Sequence, residues 1–387
     1  MGSVLHYIDL ILFVWITIPV GYLLVFTISA RCARGRIYPP TGTKHRFLVL
    51  FPAYKEDRVI VEAVTDFLRQ EYPKDKYDIA VVSDQMQPGT NEQLLRLPIR
   101  LLIASYENSS KAKALALAID STAEQDYDMV VIMDADNQAT PGFLDELNRA
   151  YASGQRAIQA HRKAKNLNTD TAVLDAVSEE INNSIFRLGH NTLRLSAALS
   201  GSGMAIDASW FREHVKKLET AGEDKELEAL LLKQHIFIDY LNHVPVYDEK
   251  VQKKENFRHQ RKRWIAAQFD ALMNALPDLP AALSSGNWDY CNKILQWMLL
   301  PRSVLLAALG LLTLLVTLLS PWASIKWWAL CLVLFLILVT NIPRDLWNRQ
   351  LLRAIIHLPS LILIMVGNMF RIRKGVNKKF IHTEHGE

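Results

Sequence analysis

Met129-Val-Val-Ile-Met-Asp-Ala-Asp-Asn137 is the stretch on which the fold turns. Five apolar residues, three of them β-branched, run directly into two carboxylates, the pattern of a strand buried on both faces whose end meets a polar crevice. Phe47-Leu-Val-Leu-Phe51, Ile79-Ala-Val-Val82 and Ile99-Arg-Leu-Leu-Ile103 repeat that apolar pattern, with helical stretches between them. From His45 to about Phe269 the alternation predicts an α/β domain with a mainly parallel sheet. Ligands of such sheets bind outside the carboxyl ends of the strands. Pro52-Ala-Tyr-Lys-Glu56 follows the first strand, Ser83-Asp84 the second and Asp134-Ala-Asp136 the fourth, so three polar sites converge on one predicted crevice.

Asp134 and Asp136, two apart on a strand-end turn, suit a hard cation such as Mg²⁺ or Mn²⁺ that keeps open positions for phosphate oxygens. Asp-x-Asp alone occurs by chance in many turns; its place after a buried strand gives it weight. Asp84 suits hydrogen bonds from a base or ribose, or else caps a helix. Lys111 and Lys113 open an Ala/Leu helix whose N-terminus is a ready anion site, although solvated first-turn lysines are common. Gly222-Glu223-Asp224 precedes another helix, where Asp224 is either a cap or a general base. In Gln260-Arg-Lys-Arg-Trp264, Arg263 suits a diphosphate and Trp264 the face of a sugar ring. Simple contact with anionic lipid would account for Arg258, Arg261 and Lys262, but not for the Gln and Trp.

The 387 residues are half apolar, unevenly distributed, and carry a net charge of +4, so no basic nucleic-acid footprint is present. Cys32, Cys291 and Cys331 are scattered and suggest neither a disulfide framework nor a zinc site. The run from Ile8 to Ala30 is long enough to cross a bilayer, and Arg31, Arg34 and Arg36 follow it, which places the N-terminus outside and the next block in the cytoplasm. Leu299 to Leu319 and Trp327 to Val339 are further spanning candidates, and Leu351 to Phe370 a third, interrupted by His357, Pro359 and Gly367. If all three span, the basic tail beginning Arg371-Ile-Arg-Lys374 falls outside, against the positive-inside tendency; a broken last segment and a cytoplasmic tail are expected instead. Asp9 and Arg302 lie near segment ends, which gives a transporter little to work with.

The order of these motifs resembles the processive family-2 glycosyltransferases, the group of cellulose, hyaluronan, chitin and poly-N-acetylglucosamine synthases, from roughly Phe47 to Ile265. Phe51-Pro-Ala-Tyr-Lys-Glu-Asp57 looks like their nucleotide loop, Asp84 like the uridine-side aspartate, and Asp134 with Asp136 like the metal pair. Gly201-Ser-Gly-Met-Ala205 is similar to the segment near the acceptor, Gly222-Glu223-Asp224 to the Thr-Glu-Asp that supplies the base, and Gln260-x-x-Arg263-Trp264 to the signature that closes over the donor. Gly222 in place of Thr, Ala116 in place of a common Asn and Ser83 before Asp84 are departures, the first of them expected to matter little.

The resemblance implies a GT-A (Rossmann-like) domain fused to transmembrane and interfacial helices, and a hexosyltransferase that moves a sugar from a nucleotide donor, UDP-linked, to a growing polysaccharide by a single inverting displacement. Transfer of one sugar to a lipid-linked acceptor is the alternative, and a non-catalytic nucleotide-sugar binder a more distant one. It implies Asp224 and Glu223 as catalytic, and Pro52, Ala53, Tyr54, Glu56, Asp84, Lys111, Asp134, Gln260 and Arg263 as donor-binding. Trp264, Gly201, Ser202 and Gly203 would face the acceptor, and Asp134 and Asp136 would hold Mg²⁺ or Mn²⁺. The expected organisation is an N-terminal transmembrane helix with basic flank (1–36), the transferase domain (37–268), amphipathic interfacial helices (269–298), C-terminal transmembrane segments (299–370) and a basic cytoplasmic tail (371–387). The protein is thus expected in a plasma or bacterial inner membrane with its catalytic domain in the cytoplasm, bound to lipid and, with so few membrane segments, open to partner subunits for export.

Overall fold

The computed structural model describes residues 2–218, 220 and 222–369; the expected tail, 371–387, lies outside them. Eight strands form one sheet: β1 Phe47–Tyr54, β2 Tyr77–Asp84, β3 Arg100–Ala104, β4 Met129–Ile132, β5 Gln138–Ala139, β6 Ala157–Ala164, β7 Met204–Asp207 and β8 Ile238–Asp248. Their spatial order is β3-β2-β1-β4-β7-β6-β8-β5. The first four pair in parallel, as the apolar runs predict, and β6 pairs β8 in parallel. β7 is antiparallel to both β4 and β6, and β5 to β8. The pleat sends alternate side chains to opposite faces. Phe47, Val49, Phe51 and Val81 pack on one face under helices Ile60–Phe67 and Phe143–Ala152. Leu48, Leu50, Ala80 and Val82 pack on the other.

Helices complete the site and the membrane region: α1 Gly2–Arg31, α2 Lys111–Ser121, α3 Asp170–Asn182, α4 Glu223–Lys233, α5 Lys254–Ala275, α6 Trp288–Met298, α7 Arg302–Leu319, α8 Pro321–Thr340 and α9 Arg349–Met369. By length and composition α1, α7, α8 and α9 are each apolar enough to cross a membrane. Ile16, Val20 and Leu23 of α1 pack with Leu305, Leu309, Trp327 and Leu334 of α7 and α8, and against Val177 and Ile181 of α3. Asp9 forms an ion pair with Lys326 at 2.5 Å and accepts from the Trp327 indole at 2.7 Å, so the membrane helices do carry a paired charge that the sequence did not reveal.

One reading of the membrane region is corrected. Helix α9 runs unbroken through His357 and Pro359, where the sequence led us to expect a broken segment. It also stays on the soluble domain along its length: Gln350 donates to the Leu167 carbonyl, His357 lies 3.2 Å from Asp170, Leu361 packs with Val251 and Phe257, and Asn368 donates to the Arg258 carbonyl at 3.0 Å. The junction expected at residue 268 falls inside α5, a single 22-residue helix. Helix α6 buries Tyr290, Lys293, Ile294 and Trp297 while exposing Trp288 and Met298, as an amphipathic helix should.

Candidate active site

Strands β1 and β2 reach further than the apolar runs indicate: Pro52, Ala53 and Tyr54 pair with Val82, Ser83 and Asp84 as ladder residues. The backbone then turns sharply. Lys55 and Gln85 both adopt φ near +55°, costly for residues with a Cβ, and the Lys55 N–H donates to the Asp84 carbonyl at 3.2 Å. Asp57 accepts from Gln87 N–H at 2.8 Å and from the Thr90 hydroxyl at 2.6 Å, which ties the two turns together. Asp84 is buried, and its Oδ1 has no hydrogen-bond partner among the described residues.

The Asp134–Asp136 turn is locked by Asn137. Its side-chain oxygen accepts from the Asp134 N–H at 3.0 Å, and its amide donates to Asp136 Oδ1 at 3.0 Å. The Glu249 N–H, just past β8, donates to Asp136 Oδ2 at 2.9 Å. Lys111 is the hub. Its ammonium pairs with Asp134, donates to the Gly201 carbonyl at 2.8 Å and lies 3.7 Å from Glu223 Oε1. Burial pushes the Asp134 carboxyl up, but Lys111 and Arg162 outweigh it and hold the group at about 2, so it stays ionised. Burial dominates at Glu223: with Asp224 adding to it, it raises the carboxyl to about 7 despite the pull of Lys111 and Arg263.

Glu223 and Asp224 form the first turn of α4, capped by Gly222, so Asp224 is not the helix cap. Asp224 is the more open of the two carboxylates, with its side chain 21 % exposed against 10 % for Glu223. Lys225 braces it from 3.4 Å, donates to the Leu199 carbonyl at 3.2 Å, and lies 3.5 Å from Glu228, which holds the fully buried Lys293 at 2.7 Å.

One cleft of about 480 Å³ is lined by Pro52, Ala53, Tyr54, Glu56, Asp84, Lys111, Asp134, Asp136, Gly201, Glu223, Asp224, Gln260, Arg263 and Trp264. Chain segments up to 212 residues apart, from Pro52 to Trp264, therefore meet in one place. Two expected acceptor residues do not join them. Ser202 is fully buried behind Gly201, and Gly203, at φ +60°, backs onto Val246; their carbonyls accept from the Gln159 amide. Ser202 and Gly203 hold the loop, and only Gly201 reaches the cleft.

Arg261 counts against the simple lipid-contact alternative. It is buried, ion-paired with Asp175 of α3, and lies over the Trp264 ring at 4.2 Å and the Phe257 ring at 4.8 Å. It thus fixes the indole of Trp264. Arg162 was missed altogether. It pairs with Asp248 and donates to the Ser200 carbonyl at 2.8 Å, linking β6, β8 and the loop that carries Gly201. Its only sequence signal was a lone Arg in Ala157-Ile-Gln-Ala-His-Arg-Lys-Ala164, a segment too polar to be read as a strand.

Known proteins resemble the chain in sequence and in fold. A segment of the chain is 32 % identical over 94 residues to the probable glycosyltransferase YdaM of Bacillus subtilis (strain 168), a match covering 23 % of this chain and 22 % of that protein. Among solved structures, the mannosyltransferase PcManGT from Pyrobaculum calidifontis, in complex with GDP-Man and Mn²⁺, is similar with a TM-score of 0.52 at 16 % identity, covering 87 % of this chain and 98 % of that one. S. aureus TarS in complex with UDP-GlcNAc is similar at 14 % identity and a TM-score of 0.41, over 88 % of this chain and 98 % of that one. The sheet is thus a GT-A, Rossmann-like fold. The profile described as "Glycosyltransferase like family 2" matches residues 45–267, more than half of the chain, and the chain belongs to that family.

Proposed function

We propose that the chain is a membrane-bound inverting glycosyltransferase that moves a sugar from a nucleotide donor, probed first as UDP-sugar, to a growing polysaccharide. The observation that carries the reading is the convergence of Asp84, Asp134, Asp136, Asp224, Arg263 and Trp264 on one cleft. Asp84 receives the nucleoside, and Lys111 and Arg263 face the diphosphate. Asp224, open to the cleft and braced by Lys225, takes the proton from the acceptor hydroxyl as that oxygen attacks the anomeric carbon. Trp264, held by Arg261, presents an aromatic face to the acceptor sugar.

Among the described residues no three His, Cys, Asp or Glu side chains stand close enough together to hold a metal ion by themselves, but two carboxylates with Asp134 ionised suit a hard cation whose shell is completed by diphosphate oxygens. Mg²⁺ or Mn²⁺ held by Asp134 and Asp136 would neutralise charge on the departing diphosphate.

In the membrane, α1, α7 and α8 span, and α9, tethered to the catalytic domain from Gln350 to Asn368, lies along the cytoplasmic surface. That arrangement accords with the positive-inside tendency for the basic sequence Arg371-Ile-Arg-Lys374. A second reading, transfer of one sugar to a lipid-linked acceptor, is favoured by the extension of the cleft to Leu299, Pro301 and Met365 at the membrane helices. The test is turnover of UDP-sugars and GDP-mannose by detergent-purified protein with Mg²⁺ or Mn²⁺, with nucleotide release followed and the product sized. A long polymer supports the first reading, a single-sugar lipid the second, and absence of turnover with every donor and acceptor lipid refutes both.

A further inference from the structure

Beyond Trp264 the cleft continues to the start of α7, where Arg302 lines its inner end. Arg162, Arg187 and Arg261 line the same cleft, and each holds a carboxylate: Asp248, Glu179 and Asp175. Arg302 holds none among the described residues. Its Nη2 donates only to neutral oxygens, the Ser178 carbonyl at 2.9 Å, the Ser178 hydroxyl at 3.3 Å and Asn182 Oδ1 at 2.8 Å. Its Nη1 is buried with no partner. A guanidinium removed from water without a carboxylate partner is costly, and one whose Nη2 is shared among three acceptors while its Cζ lies 5.9 Å from the Phe186 ring centroid is held in place. Leu299, Leu300, Pro301 and Met365 line the same cleft and give it an apolar wall next to α7 and α9.

We propose that this inner end of the cleft is a receptor for a phosphate group carried on an aliphatic chain, with Arg302 binding the oxyanion and the apolar wall receiving the chain. The same cleft is also lined by Gln260 and Gln296, whose Oε1 atoms are buried acceptors without partners. They suit the hydroxyls of a sugar attached to that phosphate. The inference rests on the functional reading above only in taking the bound lipid to be the acceptor.

Its test is a binding measurement that needs neither donor nor turnover. Decyl phosphate, decanol and inorganic phosphate are titrated calorimetrically into detergent-purified full-length protein, wild type, Arg302→Gln and Arg302→Lys, with folding checked by cooperative thermal melts. Decyl phosphate should bind the wild type, and Arg302→Gln should weaken it by at least about tenfold, the worth of one hydrogen bond to a charged group. Decanol should not bind measurably. Equal affinity of decyl phosphate for wild type and Arg302→Gln, or equal affinity of decanol, overturns the proposal. Arg302-dependent binding of inorganic phosphate as tight as that of decyl phosphate overturns the lipid source and leaves a soluble phosphate site. If Arg302→Gln does not melt cooperatively, Arg302→Lys decides: binding lost at high salt supports the ion pair, and salt-insensitive binding refutes it. Failure of the transferase reading would show separately, as absence of turnover beside intact decyl phosphate binding.

Discussion

Replacing Gly222 with Ala should damage catalysis through a contact the sequence did not show. Gly222 caps α4 at φ −115°, ψ 52°, outside the left-handed region that favours glycine, so the constraint argued here is steric. A Cβ there would stand 2.8 Å from Ala267 Cβ and 3.6 Å from Ala267 Cα. Carbon atoms in good contact lie roughly 3.5–4.0 Å apart, so α4 and α5 must part by about 1 Å. Asp224 is two residues beyond Gly222, and Arg263 and Trp264 lie one turn before Ala267, so the wedge separates the proposed base from the donor clamp. A misplacement of about 1 Å costs on the order of 10²-fold in rate, and overpacking costs about 1–3 kcal/mol of stability. The assay is kcat for nucleotide release, paired with a thermal melt. Ala267→Gly in the Gly222→Ala background removes the clashing methyl and leaves an ordinary contact to Cα. Activity should return, although stability should stay about 1 kcal/mol short because glycine is poor inside a helix. Full kcat in Gly222→Ala, or a double variant no better than the single, would refute the steric argument.

Four further outcomes are expected. Asp224→Asn should leave nucleotide affinity nearly intact while turnover falls by roughly 10²- to 10⁴-fold; unchanged turnover would remove Asp224 from the base role. Asp136→Ala should abolish the metal dependence of donor binding, measured by calorimetry with and without Mn²⁺, and a metal-dependent affinity equal to wild type would count against the cation site. Glu223 has its carboxyl raised to about 7 by burial, so the folded protein holds a proton that the unfolded chain releases near 4.5. Its contribution therefore favours folding at low pH and is lost as pH rises through about 7, and nucleotide affinity should fall over the same step as a negative charge forms 3.7 Å from Lys111. Glu223→Gln should flatten that step, and a step that persists assigns it to another group. Gly189→Ala would put a Cβ 2.3 Å from the Phe26 carbonyl oxygen of α1, a backbone atom with no rotamer to yield, so the detergent-purified variant should lose about 1–3 kcal/mol in a thermal melt and an unshifted melt would show that α1 is not seated as described.

How far the sequence reads follows from where each signal sits. In β1 to β4 the apolar run and the polar residue that uses the strand end are adjacent in sequence, so Val82-Ser-Asp84 and Met133-Asp-Ala-Asp136 reveal strand and site together. In β6 and β8 these are mixed: Ala157–Ala164 ends in His-Arg-Lys, and Ile238–Asp248 contains Asn242, His243 and Pro245, because their distal halves turn charges such as Arg162 and Asp248 inward to each other. A charge compensated 86 residues away looks, in a single sequence, like one facing water. Arg261 and Asp175 illustrate the same separation within a motif that was otherwise recognised. Ser202 and Gly203 show the converse. The motif was found, but the backbone reversal at Gly201 and Gly203 directs only its first residue to the cleft.

Helix α9 carries the argument furthest. Its composition is that of a bilayer span, because composition records how apolar a segment is and not what covers it. Leu351, Ala354 and Leu361 are buried while Leu352, Ile356 and Leu363 are exposed, so one stripe packs on the protein and the other remains for lipid. A helix leaving the domain to cross a membrane would contact it at one end. This one holds Leu167 through Gln350 and Arg258 through Asn368, 18 residues apart and about 27 Å along the axis at 1.5 Å per residue. Anchored at both ends, it holds to the α/β domain over that length, which is the observation behind laying it on the membrane surface in the proposed topology.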